Sequence, residues 1–198
     1  TDIAIYRSTN GLWAVKDITR VYYGGSNDAG VPADYTGDGV CDIGVFNMAS
    51  GRWRIRELTS VYFGKLGDLP VPGDYNGNGD EDIAVFRPDD GLWAIRGVSR
   101  VYFGTSNDLP APGAFQWYPG SRGAPFRTQI GIFRPSTGLW ALRNLTRFYF
   151  GTGTDEPIMG SFTGSGLDEA GIFRSSSGLW AIRGISRVYY GAEGDYPL

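Results

Sequence analysis

Two nine-residue stretches carry oxygen-bearing side chains at a spacing that suits a hard cation. The first runs Asp34-Tyr-Thr-Gly-Asp-Gly-Val-Cys-Asp42, the second Asp74-Tyr-Asn-Gly-Asn-Gly-Asp-Glu-Asp82. Asp34, Thr36, Asp38 and Asp42 stand at positions one, three, five and nine of the first; Asp74, Asn76, Asn78 and Asp82 stand there in the second. Calcium takes roughly six to eight oxygen ligands, often from one tight loop. Alternate positions can converge on an ion, a backbone carbonyl can add a ligand, and Gly at position six permits the sharp turn. The same composition also makes an Asx- and Gly-rich turn that needs no metal, and on the sequence both readings stand. A third loop, with Ser161, Thr163, Ser165 and Glu169, has a single carboxylate. The junction Ala114–Gln129 gains seven residues and loses the pattern. Two good calcium sites at most are therefore expected.

Other reactive chemistry is scarce. There is no histidine and a single cysteine, Cys41. That removes Ser-His-Asp and Cys-His nucleophile arrangements, Cys/His zinc sites and any disulfide within the chain. No phosphate-binding Gly loop followed by Lys and Ser/Thr is present. A carboxylate-pair glycosidase needs only Asp and Glu, but here the acids recur with the repeat instead of breaking it. The chain is therefore read as non-enzymatic, with a carboxylate-based glycosidase the weakest alternative. A net charge of −3 gives no electrostatic footprint for nucleic acid. No apolar run is long enough to insert in a membrane.

Thirteen of the 18 basic residues fall in three columns locked to a repeat: Arg7, Arg87, Arg134, Arg174; Lys16, Arg56, Arg96, Arg143, Arg183; and Arg20, Arg100, Arg147, Arg187. An acidic column accompanies them: Asp28, Asp68, Asp108, Asp155 and Asp195. The plain expectation is that Arg stems cover strand edges while their heads pair with Asp or carbonyls. The alternative is a repeated pocket in which Arg, Tyr and Asp hold a sugar or an acidic glycan, strengthened by multivalency. An insertion at about 116–127 breaks the repeat and brings Trp117, Tyr118, Arg122 and Arg127. Aromatic residues beside Arg are typical of interaction surfaces, so these four are candidate ligand contacts; the competing reading is a loop folded over the ring.

The elements behind these columns follow from the repeat. Trp13, Trp53, Trp93, Trp140 and Trp180 are spaced by 40, 40, 47 and 40 residues. Each lies in a Gly-Leu-Trp-Ala-Ile-like segment, preceded by one like Asp82–Pro88, followed by one like Arg100–Gly104 and then one like Asp68–Tyr75. Segments of four to seven residues rich in Val, Ile, Phe, Tyr and Trp, bounded by Gly, Pro, Asp or Ser, are strands. Four short strands in about 40 residues make one propeller blade. The 198 residues thus read as one all-β domain, a five-bladed β-propeller of antiparallel blades. Residues 1–7 read as a second strand and Tyr196–Leu198 as the start of a first, so the terminal segments are expected to close the ring. The Trp column is expected to pack between blades rather than serve as an exposed platform. The Ala or Gly at positions 4, 44, 84, 131 and 171 is expected to make room for it.

The two loops, framed by Pro-Gly-Asp-Tyr and Asp-Ile-Ala-Val-Phe in the second and by the variants Pro-Ala-Asp-Tyr and Asp-Ile-Gly-Val-Phe in the first, resemble FG-GAP/VCBS-type propeller repeats, whose calcium loops integrin α-subunits share. The resemblance spans nearly the whole chain at blade level and is tight only at these loops. It implies structural calcium held by the eight loop residues named above. It also implies an extracellular or cell-surface binding or adhesion module, lectin-like if its ligand is a glycan and otherwise directed at a protein. A monomer is expected. The near-identity of the blades equally admits a purely structural repeat scaffold, recently amplified or engineered.

Overall fold

Each repeat folds where its glycines force turns and its β-branched and aromatic residues extend between them. The Gly of every Gly-Leu-Trp motif (Gly11, Gly51, Gly91, Gly138, Gly178) has φ between 63° and 70°. There a side chain would be strained, and a Cβ would also collide with the carbonyl of the glycine that ends the same blade's last strand. The computed structural model describes residues 4–118 and 126–191; the closure expected of the terminal segments falls partly on residues 1–3 and 192–198, outside them.

Five antiparallel sheets form the five blades of the propeller. Blade one has β1 (Ala4–Arg7), β2 (Leu12–Val15) and β3 (Thr19–Tyr22). Blade two has β4 (Asp28–Gly30), β5 (Gly44–Asn47), β6 (Arg52–Ile55) and β7 (Thr59–Tyr62). Blade three has β8 (Leu69–Pro70), β9 (Ala84–Arg87), β10 (Leu92–Ile95) and β11 (Ser99–Tyr102). Blade four has β12 (Leu109–Pro110), β13 (Gly131–Arg134), β14 (Leu139–Leu142) and β15 (Thr146–Tyr149). Blade five has β16 (Glu156–Gly160), β17 (Glu169–Arg174), β18 (Leu179–Ile182) and β19 (Ser186–Tyr189). Within each blade consecutive strands pair in chain order.

The core lies between blades, and the two faces of a blade differ. On blade three, Phe86, Trp93 and Ile95 pack with Ile130, Ile132 and Ala141 of blade four. Its opposite face, with Val85, Leu92 and Ala94, packs against Phe46, Trp53 and Ile55 of blade two. The aromatic face of blade two thus meets the aliphatic face of blade three, and that of blade three the aliphatic face of blade four; blades four and five repeat the arrangement with Phe133 and Trp140 against Ile172 and Leu179. Trp53, Trp93 and Trp140 are fully buried, which settles the Trp column as packing. All five Trp Nε1–H groups donate to the carbonyl just beyond the last strand of their own blade, at 2.9–3.0 Å. All five rings lean on a Phe or Tyr of the second strand, at centroid distances of 4.6–5.2 Å.

The small-residue column serves a different neighbour from the one expected. Strand register sets Trp93 opposite Phe86, while Ala84 lies opposite Ile95. A Cβ at Gly44 would meet the Val31 carbonyl and Ile55; one at Gly131 would meet the Ala111 carbonyl and Leu142. Small residues there let the inner strand's backbone and the Ile or Leu ending the third strand approach. The Trp is two residues away.

Replacing Trp93 with Ala removes a fully buried indole and its hydrogen bond. A loss of about 3–5 kcal/mol is expected, read as a lower urea midpoint in equilibrium unfolding.

Candidate functional site

At one end of the ring the loops between first and second strands fold as the Gly and Asx residues dictate. Gly37 and Gly39, Gly77 and Gly79, and Gly164 and Gly166 all have positive φ. The Asp34 carboxylate accepts N–H bonds from Gly37, Asp38 and Gly39 at 2.7, 3.1 and 2.7 Å. Asp74 does the same with Gly77, Asn78 and Gly79 at 2.5, 3.2 and 3.0 Å. The acid at position nine anchors the loop entrance: Asp42 accepts from the Tyr35 N–H, Asp82 from Tyr75 and Glu169 from Phe162. Position three turns to these acids. Thr36 Oγ1 lies 3.4 Å from Asp34, and Asn76 Nδ2 donates to both oxygens of Asp82 at 2.9 and 3.1 Å. Position five turns onward, Asp38 accepting from the Val40 N–H and Asn78 from Asp80.

Position three is thus joined to position one in the first loop and to position nine in the second, and the position-five N–H donates to position one in both. Among the described residues no three acidic, Cys or His side chains converge on one point. The donor chemistry, oxygen throughout, fits calcium, and the carboxylate oxygens that accept a single hydrogen bond, Asp34 Oδ2, Asp74 Oδ2 and Asp82 Oδ1, keep a lone pair for an ion. The loop nevertheless closes through its own hydrogen bonds.

Neighbouring loops are stitched to one another around the ring. Glu81 N–H donates to the Asp34 carbonyl, Thr128 N–H to Asp74 and Asp168 N–H to Ala114, at 2.8–2.9 Å. Asp80 covers Gly37 and Arg127 covers Gly77. Sequence reasoning passed over Glu81 and Asp168, because position eight carries Cys41 in the first loop and shows no column. Burial pushes the Glu81 carboxyl from its ordinary 4.5 up to about 7, with Asp74, Asp82, Asp34 and Asp168 adding repulsion.

The insertion ends in this same belt. Gln129 takes position nine of the altered junction, its Oε1 accepting the Phe115 N–H at 2.6 Å. Arg127 stands over the Tyr118 ring at 5.6 Å, with its Nε buried. Trp117 bridges to Phe126 and is 57% exposed. Arg122 lies outside the described residues.

At the opposite end the acidic column is buried and paired. Asp68, Asp108 and Asp155 each take Nε and Nη2 of one arginine, Arg87, Arg134 and Arg174, at 2.6–3.0 Å. Bidentate pairs of this kind are the strong, directional ones. Burial raises the Asp108 carboxyl, yet the Arg134 guanidinium and the Thr105 N–H outweigh it and hold the group below the usual range. Asp195 lies outside the described residues.

These pairs border clefts between blades. One, of about 270 Å³, is lined by Tyr62, Gly64, Arg87, Leu92, Ala94 and Arg100; the next, of about 350 Å³, by Tyr102, Gly104, Asp108, Arg134, Leu139 and Arg147. Cross-strand partners share a face, so the pairing of Leu92 with both Arg87 and Tyr102, and of Ala94 with Arg100, puts Arg87, Arg100 and Tyr102 on one face of blade three. Tyr22, Tyr62, Tyr102, Tyr149 and Tyr189 are 70–73% exposed. No family model, curated protein or solved structure was found to match the chain, so the resemblance to FG-GAP/VCBS repeats rests on its loop and strand residues.

Two outcomes test the loop end. With calcium at about 100 times its Kd and bound only by the folded chain, stability should rise by about 2.7 kcal/mol; an unchanged melt, with no calcium found by metal analysis, removes the ion. In chelator the charge on Glu81 opposes folding. Because its folded pKa lies above the unfolded one, that penalty is absent below about pH 4.5 and complete above about 7. The melting temperature should therefore rise as pH falls from 8 to 5.5, a window in which no histidine titrates. Glu81→Gln should flatten this slope.

Proposed function

We propose that the chain is a non-enzymatic carbohydrate-binding module, lectin-like, with one shallow cleft per blade. The observation that carries this reading is the recurrence of the same polar set, two guanidinium groups and an exposed tyrosine over an aliphatic floor, on successive blades. Rings and hydroxyls in shallow, open sites suit saccharides, which offer apolar C–H faces and hydroxyl groups to hydrogen-bond. Several weak equivalent sites gain strength when one polymer engages more than one. In this reading the belt of loops is structural, with calcium at the two loops as a reinforcing ion. An extracellular or cell-surface setting and a monomeric ring accord with the family resemblance.

A second reading follows from Trp117, whose exposure beside Tyr118 is not matched by any repeat position. An adhesion module binding a protein would use that one asymmetric patch, whereas a lectin uses several equivalent clefts and a bare scaffold uses neither.

A glycan array should give saturable binding to carbohydrate. The triple variant Tyr102→Ala, Tyr149→Ala, Tyr189→Ala should lose at least about tenfold in affinity with its melting temperature within a few degrees of the parent, since these side chains are largely exposed. Silence on the array from a folded protein, or full binding by the triple variant, removes the carbohydrate reading. Loss of partner binding only on Trp117→Ala favours the adhesion reading.

A further inference from the structure

The clefts carry a charge that the overall composition hides. In each described ion pair of the cleft end the inner arginine is neutralised by its buried aspartate. The outer arginine on the same face, Arg100, Arg147 or Arg187, is exposed and joins no salt bridge among the described residues. Each such face therefore presents one uncompensated guanidinium and, two residues along the same strand, an exposed tyrosine, on a chain whose net charge is −3.

Blade two shows that this arrangement is maintained by different residues. Asn47 stands where Arg87, Arg134 and Arg174 stand in other blades, and Ser60 replaces the outer arginine. Both cations reappear from the floor of the same face. Arg54, at an alanine position, reaches Asp28 at 2.5 Å, and Asn47 donates to the other oxygen of that carboxylate at 2.8 Å. Arg52, at a leucine position, donates to Ser60 Oγ at 3.0 Å and lies 5.6 Å from the centre of the Tyr62 ring. Two apolar-to-Arg replacements accompany two losses of Arg on one face. The face again holds one aspartate-bound guanidinium, one without a carboxylate, and a tyrosine. Packing alone gives no reason for the second cation to return, because Leu92, Leu139 and Leu179 fill that position in other blades without it.

We infer that the clefts select acidic saccharides, with the outer guanidinium taking a sugar carboxylate or sulfate in a bidentate hydrogen-bonded pair. This rests on the carbohydrate reading above. A guanidinium presents paired N–H donors in the geometry of such an anion, and the neighbouring tyrosine supplies a surface for the ring that bears it. Blades four and five are the strongest sites. The turn after Arg134 or Arg174 carries Ser and Thr or Ser alone, whereas blade three places Asp89 and Asp90 after Arg87.

The test uses the full chain against polygalacturonate and its fully methyl-esterified, neutral form, and against dextran sulfate and dextran. Isothermal titration should show at least about tenfold tighter binding to each acidic polymer than to its neutral counterpart, a difference of about 1.4 kcal/mol, weakening as salt rises. The double variant Arg147→Gln, Arg187→Gln should lose most of that preference, its affinity for the acidic polymers falling more than its affinity for the neutral ones, while its melting temperature stays put. Equal affinity for acidic and neutral forms overturns the inference and leaves the carbohydrate reading standing. So does an acidic preference that the double variant retains. Polyphosphate bound as tightly as polygalacturonate also overturns it, the surface then being a general polyanion site. No binding to any saccharide polymer removes both readings.

Discussion

Every other feature depends on the unlikeness of a blade's two faces. One is built on Trp and Phe, the other on Val, Ile, Leu and Ala. A blade cannot bury both within itself, and it cannot satisfy either by pairing back to back with a copy, because like faces would meet. Head-to-tail stacking brings unlike faces together, and a heterologous contact of this kind ends only by closing a ring. The tryptophan fixes the geometry of that contact. Its ring is buried at the interface, and its N–H ties the end of its own blade's last strand, so interface and blade shape are set by one side chain.

The buried aspartates are the second constraint. A carboxylate removed from water is costly unless charged and hydrogen-bonded partners replace the solvent. Asp68, Asp108 and Asp155 have no exposed side-chain surface, and each accepts a turn N–H as well as its arginine. The pair locks the connection between consecutive blades to the second strand of the later one. Loss of the arginine alone would leave an uncompensated charge, which is why blade two, with Asn47 at that position, keeps Asp28 only together with Arg54.

How much of this the sequence discloses depends on whether a property is repeated. The strands, their order, the number of blades and the burial of the tryptophans were all legible, because each recurs at one spacing. Pairing of arginine with the aspartate column was legible too, but which of the three basic columns supplies it was not; the structure picks Arg87, Arg134 and Arg174. The partner of Ala84 was not, because the sequence shows that a small residue is needed without showing which neighbour presses on it; only register puts Ile95 there. Arg52 and Arg54 stood outside every column and read as noise, although they restore what Asn47 and Ser60 remove. Glu81 was invisible for a different reason. Its raised pKa comes first from burial and then from acids of its own loop and of two other strand connections, at Asp34 and Asp168, a convergence that exists only once the ring is assembled.

The two ends of the ring consequently differ in what they can offer a partner. At the loop end, backbone N–H groups, neighbouring loops and the insertion already engage the side chains that looked reactive. Asp34, Asp74, Asp42 and Asp82 hold their own loops in shape, and Arg127 lies against Gly77. That end is chemically rich and largely occupied with itself. At the cleft end the aspartates and inner arginines neutralise one another, leaving the outer arginine and the tyrosine with hydrogen-bonding groups turned to solvent. Recognition draws on groups that folding leaves unsatisfied, and repetition multiplies them around the ring. The functional reading therefore belongs to the less conspicuous end, where each group is ordinary and only the repeated combination stands out.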